Sequence, residues 1–269
     1  MAAPFAASAD GMHKHSVPGT DVVYSHTIFT GGEVARDSRE GYLGTVWALN
    51  RDLNRDGILF RVMGTYGTYE YKENCPAGGC VYGPSATEPE RFNGRFWQGD
   101  VMVGYQWVRE RFDLAAYVGI DSVNHHISPF HAENPVRGHE TGFKVALDLE
   151  SHRSNGQQHY FALEGAYSTA FDTYFLLGRV GMNRGGNIFG VEGWLLGDET
   201  GDAQRLGAFV SLDRQLRPDL LAEITLSAGY QFVDDADRIC SSFFGSEGAY
   251  ATLNLSFFFS GERRHTPMK

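Results

Sequence analysis

From about residue 21 to residue 259 the chain alternates between apolar and polar positions and has almost no helical period. Trp97 to Trp107 is the clearest stretch. One face carries Trp97, Val101, Val103, Tyr105 and Trp107 with Gly99 between; the other carries Gln98, Asp100, Met102, Gly104 and Gln106. A half-buried strand of a soluble sandwich runs about five residues. This apolar row runs about twice as long with aromatic rings at both ends, which suits a tilted strand crossing a hydrocarbon slab.

The same alternation recurs. Leu220, Ala222, Ile224, Leu226, Ala228, Tyr230 and Phe232 alternate with Leu221, Glu223, Thr225, Ser227, Gly229 and Gln231. Similar rows run over 140–149, 205–213 and 250–259. Taken alone they also fit an antiparallel sandwich. The opposite face decides between the two, because it is small and charged on most strands, as a crowded wet lumen would be. About twelve segments emerge: 21–30, 41–49, 57–72, 95–108, 112–122, 139–150, 158–168, 173–182, 187–197, 205–213, 219–232 and 248–259. The expected fold is all-β, a single antiparallel transmembrane β-barrel of about twelve strands with a central polar lumen. An even count lets every strand pair inside lipid.

Connection lengths set an orientation. With both ends on the periplasmic side, one set of connections (50–56, 109–111, 151–157, 183–186 and 214–218) is mostly short and rich in turn residues. The other set includes the longer stretches 73–94, 123–138 and 233–247, expected at the cell surface. Residues 21–259 are read as the barrel, 1–20 as a flexible lead-in and 260–269 as a polar tail. Ala7-Ser8-Ala9 before Asp10 has the small-x-small pattern of a secretory cleavage site, which points to export.

Composition changes the picture in two places. A formal net charge of −10 over 269 residues leaves too few cations for a phosphate-tracking face, which argues against nucleic acid as a partner. No window of ~18 apolar residues exists, so no helix of the chain spans a membrane, while strands that alternate still can.

Six strings carry a family resemblance: NRDLNRDG at 50–57, WQGDVMVGYQW at 97–107, NPVRGHETGFKV at 134–145, YSTAFDTY at 167–174, DAQRLGAFVS at 202–211 and ATLNLSFFF at 251–259. Together they resemble the BcsS family of outer-membrane cellulose biosynthesis proteins, over about residues 22–259. The resemblance implies a non-enzymatic barrel accessory to cellulose production or secretion, working in outer-membrane lipid. Its implied partners are cellulose or other components of the cellulose synthase machinery. It carries no catalytic residues and no cofactor.

Several clusters invite chemistry of their own. Cys75 and Cys80, in ENCPAGGCVYG, suit a small disulfide staple in an oxidising compartment, while Cys240 is left odd. His152 and Ser154, in H-x-S-N-G, resemble the catalytic stretch of outer-membrane phospholipase A, where such a pair serves as base and nucleophile on the lipid-facing wall; an Asn-Gly turn is the simpler reading. His125, His126 and His131 with Asp121 and Glu133 form a His-rich patch in the 121–133 loop; adjacent histidines chelate one ion only where the loop is irregular, and no dedicated metal site is expected. Asp52, Asn54 and Asp56 have the spacing of a calcium loop, but Met63 stands where its closing Glu belongs, so a capped turn is expected.

The charges assigned to the lumen are Asp100, Asp113, Asp121, Glu140, Lys144, Asp148, Glu164, Arg179, Glu192, Arg205, Asp213 and Glu223. A salt-bridged network filling the bore is favoured over a glycan path on which Tyr66, Tyr117 and Tyr174 would stack sugars. A small-solute pore is the remaining alternative.

Overall fold

Side chains that point alternately to opposite faces are the geometry of a strand. A computed structural model, which describes residues 22–73, 90–131, 134–152, 158–185, 187–233 and 247–260, forms twelve of them. They are β1 (Tyr24–Ala35), β2 (Ser38–Ala48), β3 (Gly57–Glu73), β4 (Glu90–Val108), β5 (Phe112–Ser128) and β6 (Gly138–Ser151). The second half comprises β7 (His159–Ser168), β8 (Tyr174–Arg184), β9 (Asn187–Asp198), β10 (Gly201–Arg217), β11 (Leu220–Val233) and β12 (Gly248–Ser260). Each strand pairs antiparallel with its chain neighbour, and β1 pairs with β12 from Tyr24↔Ser260 to Ala35↔Tyr250, so the sheet closes into a barrel. Closure leaves no edge with unpaired peptide groups.

Where boundaries differ from those read in the sequence, packing across strands is the reason. Gly31-Gly32 does not end the first strand; β1 runs through both glycines, and Arg36-Asp37 make the turn. Gly31 faces the lumen, and the space its missing side chain leaves is taken by the ring of Tyr42 from β2, whose hydroxyl bonds Asn254. Likewise β4 begins at Glu90 and β5 continues to Ser128, because their ladder extends to Asn93↔Ser128. The segment 123–128 is therefore strand and not loop. The length asymmetry between the two ends is also less uniform than expected: Arg36-Asp37 and Glu199-Thr200 are two-residue turns at the end opposite the strand termini of β1 and β12.

The outer wall explains why the strands are long. Every strand places large apolar residues outward, among them Ile28, Leu43, Ile58, Val101, Val118, Phe143, Phe161, Val180, Val191, Leu206, Leu226 and Leu253. A continuous apolar belt of this kind is not tolerated in water. Against hydrocarbon it is the stabilising surface, and the barrel is of the transmembrane type. Aromatic pairs mark its margins. Trp47 stacks on Phe60 at 5.9 Å and Tyr105 meets Trp107 at 4.9 Å near the end where β1 starts; Tyr230 meets Phe232 at 5.1 Å near the other.

The bore is filled. Toward the end where β1 starts, Tyr24, Phe29, Tyr42, Met63, Met102, Tyr117 and Phe258 form a buried apolar cluster. Leu53, from the 49–56 turn, is 2 % exposed and corks that mouth; its N–H donates to the Tyr24 carbonyl at 2.8 Å, and Gln106 donates to its own carbonyl. Tyr69, Tyr71, Phe92, Phe96, Phe171, Trp194 and Tyr250 fill the other mouth. Lumen-facing glycines admit these rings: Gly94 lies under Tyr69, Gly104 under Tyr117, and Gly207 under Tyr250.

Placing a charge on the outer belt provides a direct check. Val101→Arg, near the middle of β4, is expected to lower stability in lipid vesicles by about 2–4 kcal/mol, while Val101→Ala changes it far less. Reversible unfolding by denaturant titration of the vesicle-inserted protein reads the difference.

Candidate functional site

Between the two apolar mouths lies a waist of buried charge. Lys144 Nζ of β6 donates to Asp100 Oδ2 of β4 at 2.6 Å, with both side chains almost fully buried. Arg179 of β8 donates from Nε to Glu192 Oε2 at 3.0 Å and sits 3.9 Å from Glu164. Arg205 of β10 grips Glu33 of β1 with both terminal nitrogens, at 2.5 and 2.7 Å, across the bore, while its Nε donates to Gln231 at 2.8 Å. A bidentate fork of this kind fixes geometry as well as charge. Arg61 of β3 is also fully buried; its charge lies in the field of Asp100, Asp148 and Glu164, and its guanidinium stands 5.6 Å from the centre of the Tyr117 ring.

Carboxylates outnumber cations here, and neutral donors hold the excess. Glu192 accepts from Trp194 Nε1 at 3.1 Å and Tyr250 Oη at 2.9 Å. Glu223 accepts from Ser211 Oγ at 2.8 Å, and Asp121 from Gln98 Nε2 at 2.8 Å and Ser168 Oγ at 2.7 Å. Burying a carboxylate without such partners is prohibitive. A lumen cavity beside Lys144 and Gln98 measures about 20 Å³, room for roughly one water.

Other residues singled out in the sequence lie apart from the waist. Glu140 sits at one mouth, where its Oε2 accepts the Phe171 N–H at 3.2 Å. Phe171 and Asp172 have φ of 54° and 46°, a strained left-handed turn that tips the Phe171 ring inward. His152 and Asp113 close the opposite end: His152 Nε2 lies 3.0 Å from Asp113 Oδ1, both buried within the barrel and not on its lipid-facing wall. Ser154 lies outside the described residues, as do Cys75, Cys80, Cys240 and Glu133. Asp213 is half-buried on β10.

The His-rich patch comes apart on the strand. His125 points inward among Tyr69, Phe96 and Phe171, while His126 points outward. His131 lies 2.8 Å from Tyr71 Oη and stacks on Phe92. Among the described residues no three His, Cys, Asp or Glu side chains converge as metal ligands. In the 49–56 turn, Asn50 Oδ1 accepts the Asp52 N–H and Asp52 Oδ1 accepts the Asn54 N–H. Asp56 accepts the Val108 N–H and pairs with Arg109, and both interactions hold its carboxyl below the usual carboxylate range. These side chains cap a turn. Of the three tyrosines weighed for sugar stacking, Tyr66 faces the lipid side, Tyr117 is packed in the bore and Tyr174 is half-buried.

Two members of the waist, Glu33 and Arg61, escape sequence reasoning. Glu33 follows the Gly31-Gly32 pair, beyond the 21–30 segment expected as the first strand, and only Phe29 and Glu33 at like parity signal its direction. Arg61 shares its face with Leu59 and Met63, while Phe60 and Val62 occupy the other, so neither face of that stretch reads as polar.

Comparison with known families matches residues 27–259 to the family described as cellulose biosynthesis protein BcsS. The chain belongs to the BcsS family. Its matched region takes in every strand, from within β1 to within β12. Membership ties the barrel to cellulose biosynthesis. A search of curated proteins gives no match. Among solved structures, this BcsS chain is similar to the KdgM porin (9 % identity over 88 % of this chain and 99 % of that one, TM-score 0.39). It is also similar to the outer membrane protein Omp33 of Acinetobacter baumannii (11 %, 90 % and 100 %, TM-score 0.37). A third is the transport unit of the autotransporter AIDA-I from Escherichia coli (8 %, 91 % and 92 %, TM-score 0.40).

Waist energetics give an asymmetric prediction. Lys144→Met strands the buried Asp100 carboxylate and is expected to destabilise by about 3–5 kcal/mol, whereas Lys144→Met with Asp100→Leu recovers most of that loss. Unfolding free energies of Lys144→Met, Asp100→Leu and the double variant in the same detergent distinguish this from simple additivity.

Proposed function

We propose that the protein is a non-enzymatic outer-membrane barrel that serves cellulose biosynthesis as an accessory at the cell surface and not as the conduit for the glucan. The observation that carries this reading is the occupied bore. Large side chains such as Phe96, Tyr117, Arg179 and Phe258 are no more than 2 % exposed and occupy the bore from one mouth to the other. A glucan chain needs an open path, and barrels leave wide channels only at about 16 strands or more. The charged waist then serves as a plug that ties non-adjacent strands together, with β4 held to β6 through Asp100–Lys144 and β10 to β1 through Arg205–Glu33.

The orientation that fits has β1 and β12 beginning and ending on the periplasmic side, with the 74–89 and 234–247 connections at the surface. There they would meet cellulose or components of the synthase machinery, and the apolar belt would meet outer-membrane lipid. A phospholipase role has less support, because His152 is engaged with Asp113 inside the barrel.

Three measurements test the reading. Deleting the gene in a cellulose-producing host is expected to lower cellulose at the surface while isolated membranes keep their synthase activity; unchanged surface cellulose would remove the role. In planar bilayers the purified barrel is expected to stay closed under voltage, and stable single-channel steps would favour the pore. Wild type and Ser154→Ala are expected to be alike in releasing no fatty acid from phospholipid.

A further inference from the structure

The outer wall of β2 to β6 is layered by register. Val62, Val101, Ile120 and Phe143 lie side by side in one row of cross-strand partners. Two residues further along each strand comes a row of small side chains, Gly64, Gly99, Ser122 and Thr141. Next comes an aromatic row in which Tyr66 pairs with Trp97, and the Trp97 ring stacks on that of His139 with centroids 6.0 Å apart. Beyond it, one more step of ~6.6 Å along the strand, Arg39, Thr68, Arg95 and His126 stand in consecutive register. Arg39, Arg95 and His126 are exposed and face outward, and with Arg36, Asp37 and Glu70 they border a groove of about 530 Å³ on this rim of the barrel, where Glu70 pairs with Arg91.

Such a sequence of rows matches the depth profile of a lipid leaflet: acyl chains, then the amphipathic interface, then headgroup phosphates. The cations of the last row are also not spent on carboxylates. Arg39 Nε donates only to Thr68 Oγ1, at 3.3 Å, and neither Arg39 nor Arg95 forms an ion pair among the described residues. At the opposite end two arginines pair with carboxylates, Arg109 with Asp56 and Arg55 with Asp52. Two guanidinium groups flanking a threonine hydroxyl make a donor set suited to phosphate, which accepts charge-assisted hydrogen bonds in pairs.

We propose that Arg39, Thr68, Arg95 and His126 form a site on the lipid-facing rim for the phosphate groups of the phosphorylated glycolipid of the outer leaflet. This rests on the orientation given above, which puts this rim at the cell surface. The aromatic row would lie against the upper acyl chains and sugar faces of the same lipid, so the ligand is held by its depth as well as by its charge. A free anion gains only the polar half of this contact and binds far more weakly.

The test uses the full chain refolded in detergent micelles, with binding of lipid A, its dephosphorylated form and inorganic phosphate measured separately. Lipid A is expected to bind, the dephosphorylated lipid at least about tenfold more weakly, and inorganic phosphate not measurably at millimolar concentration. Arg39→Gln with Arg95→Gln is expected to lower lipid A affinity by about tenfold or more, with an unchanged thermal midpoint in the absence of lipid. Arg214→Gln, an exposed arginine near the opposite end, is expected to change nothing. Equal binding by the double variant, equal binding of the dephosphorylated lipid, or an equal effect of Arg214→Gln would each overturn the site. Flotation with lipid vesicles separates the two levels: a barrel that floats yet ignores lipid A loses only this site. One that does not float loses the membrane reading with it.

Discussion

Inside hydrocarbon an unpaired peptide N–H or C=O costs several kcal/mol, and no water is at hand to relieve it. The pairing of β1 with β12 is the single contact that settles this for the whole sheet. Without it, two strands would present a row of open donors and acceptors to lipid, and the apolar belt would have no stable shape to wrap. Closure in turn fixes the diameter of the bore. Once that is fixed, every inward side chain must fit a space of set size, and the glycine–aromatic pairs along the lumen follow from that constraint. Gly94 under Tyr69 and Gly104 under Tyr117 place a ring where two side chains would not fit.

Within the closed wall, the interior is divided by polarity. Apolar rings crowd toward the two mouths, and Lys144, Asp100, Arg61, Arg179 and Glu164 lie buried between them, while Asp113 with His152 and Glu140 sit at the ends. That order is costly unless each charge is matched, because desolvation there is severe. The matches link strands that are not hydrogen-bonded neighbours: Arg205 to Glu33 joins β10 to β1, and Lys144 to Asp100 skips over the intervening β5. The charged waist thus works as cross-bracing that a cluster of aliphatic side chains, being non-directional, would not provide.

The same alternation that builds the lumen builds the exterior, and there register does what composition does not reveal. Arg39, Thr68, Arg95 and His126 are separated by about 30 residues from one to the next, and nothing in the chain marks them as companions. Four strands in fixed register bring them level, just beyond a level of aromatic rings.

What the sequence by itself determined is which side of each strand faces lipid and which faces the bore, since a period of two is a local property that each strand carries in full. From it came the strand count, the spanning length and the inward direction of Asp100, Lys144 and Glu192. The family strings were legible for the same reason, being strand and turn fragments whose meaning is local. What only the tertiary structure decided is who meets whom. Partnerships across the lumen depend on closure and stagger, which no segment encodes alone; that is why Glu33, behind its two glycines, and Arg61, between two apolar faces, are legible only in the closed sheet, and why it takes the ladder with β4 to make the 123–128 segment a strand.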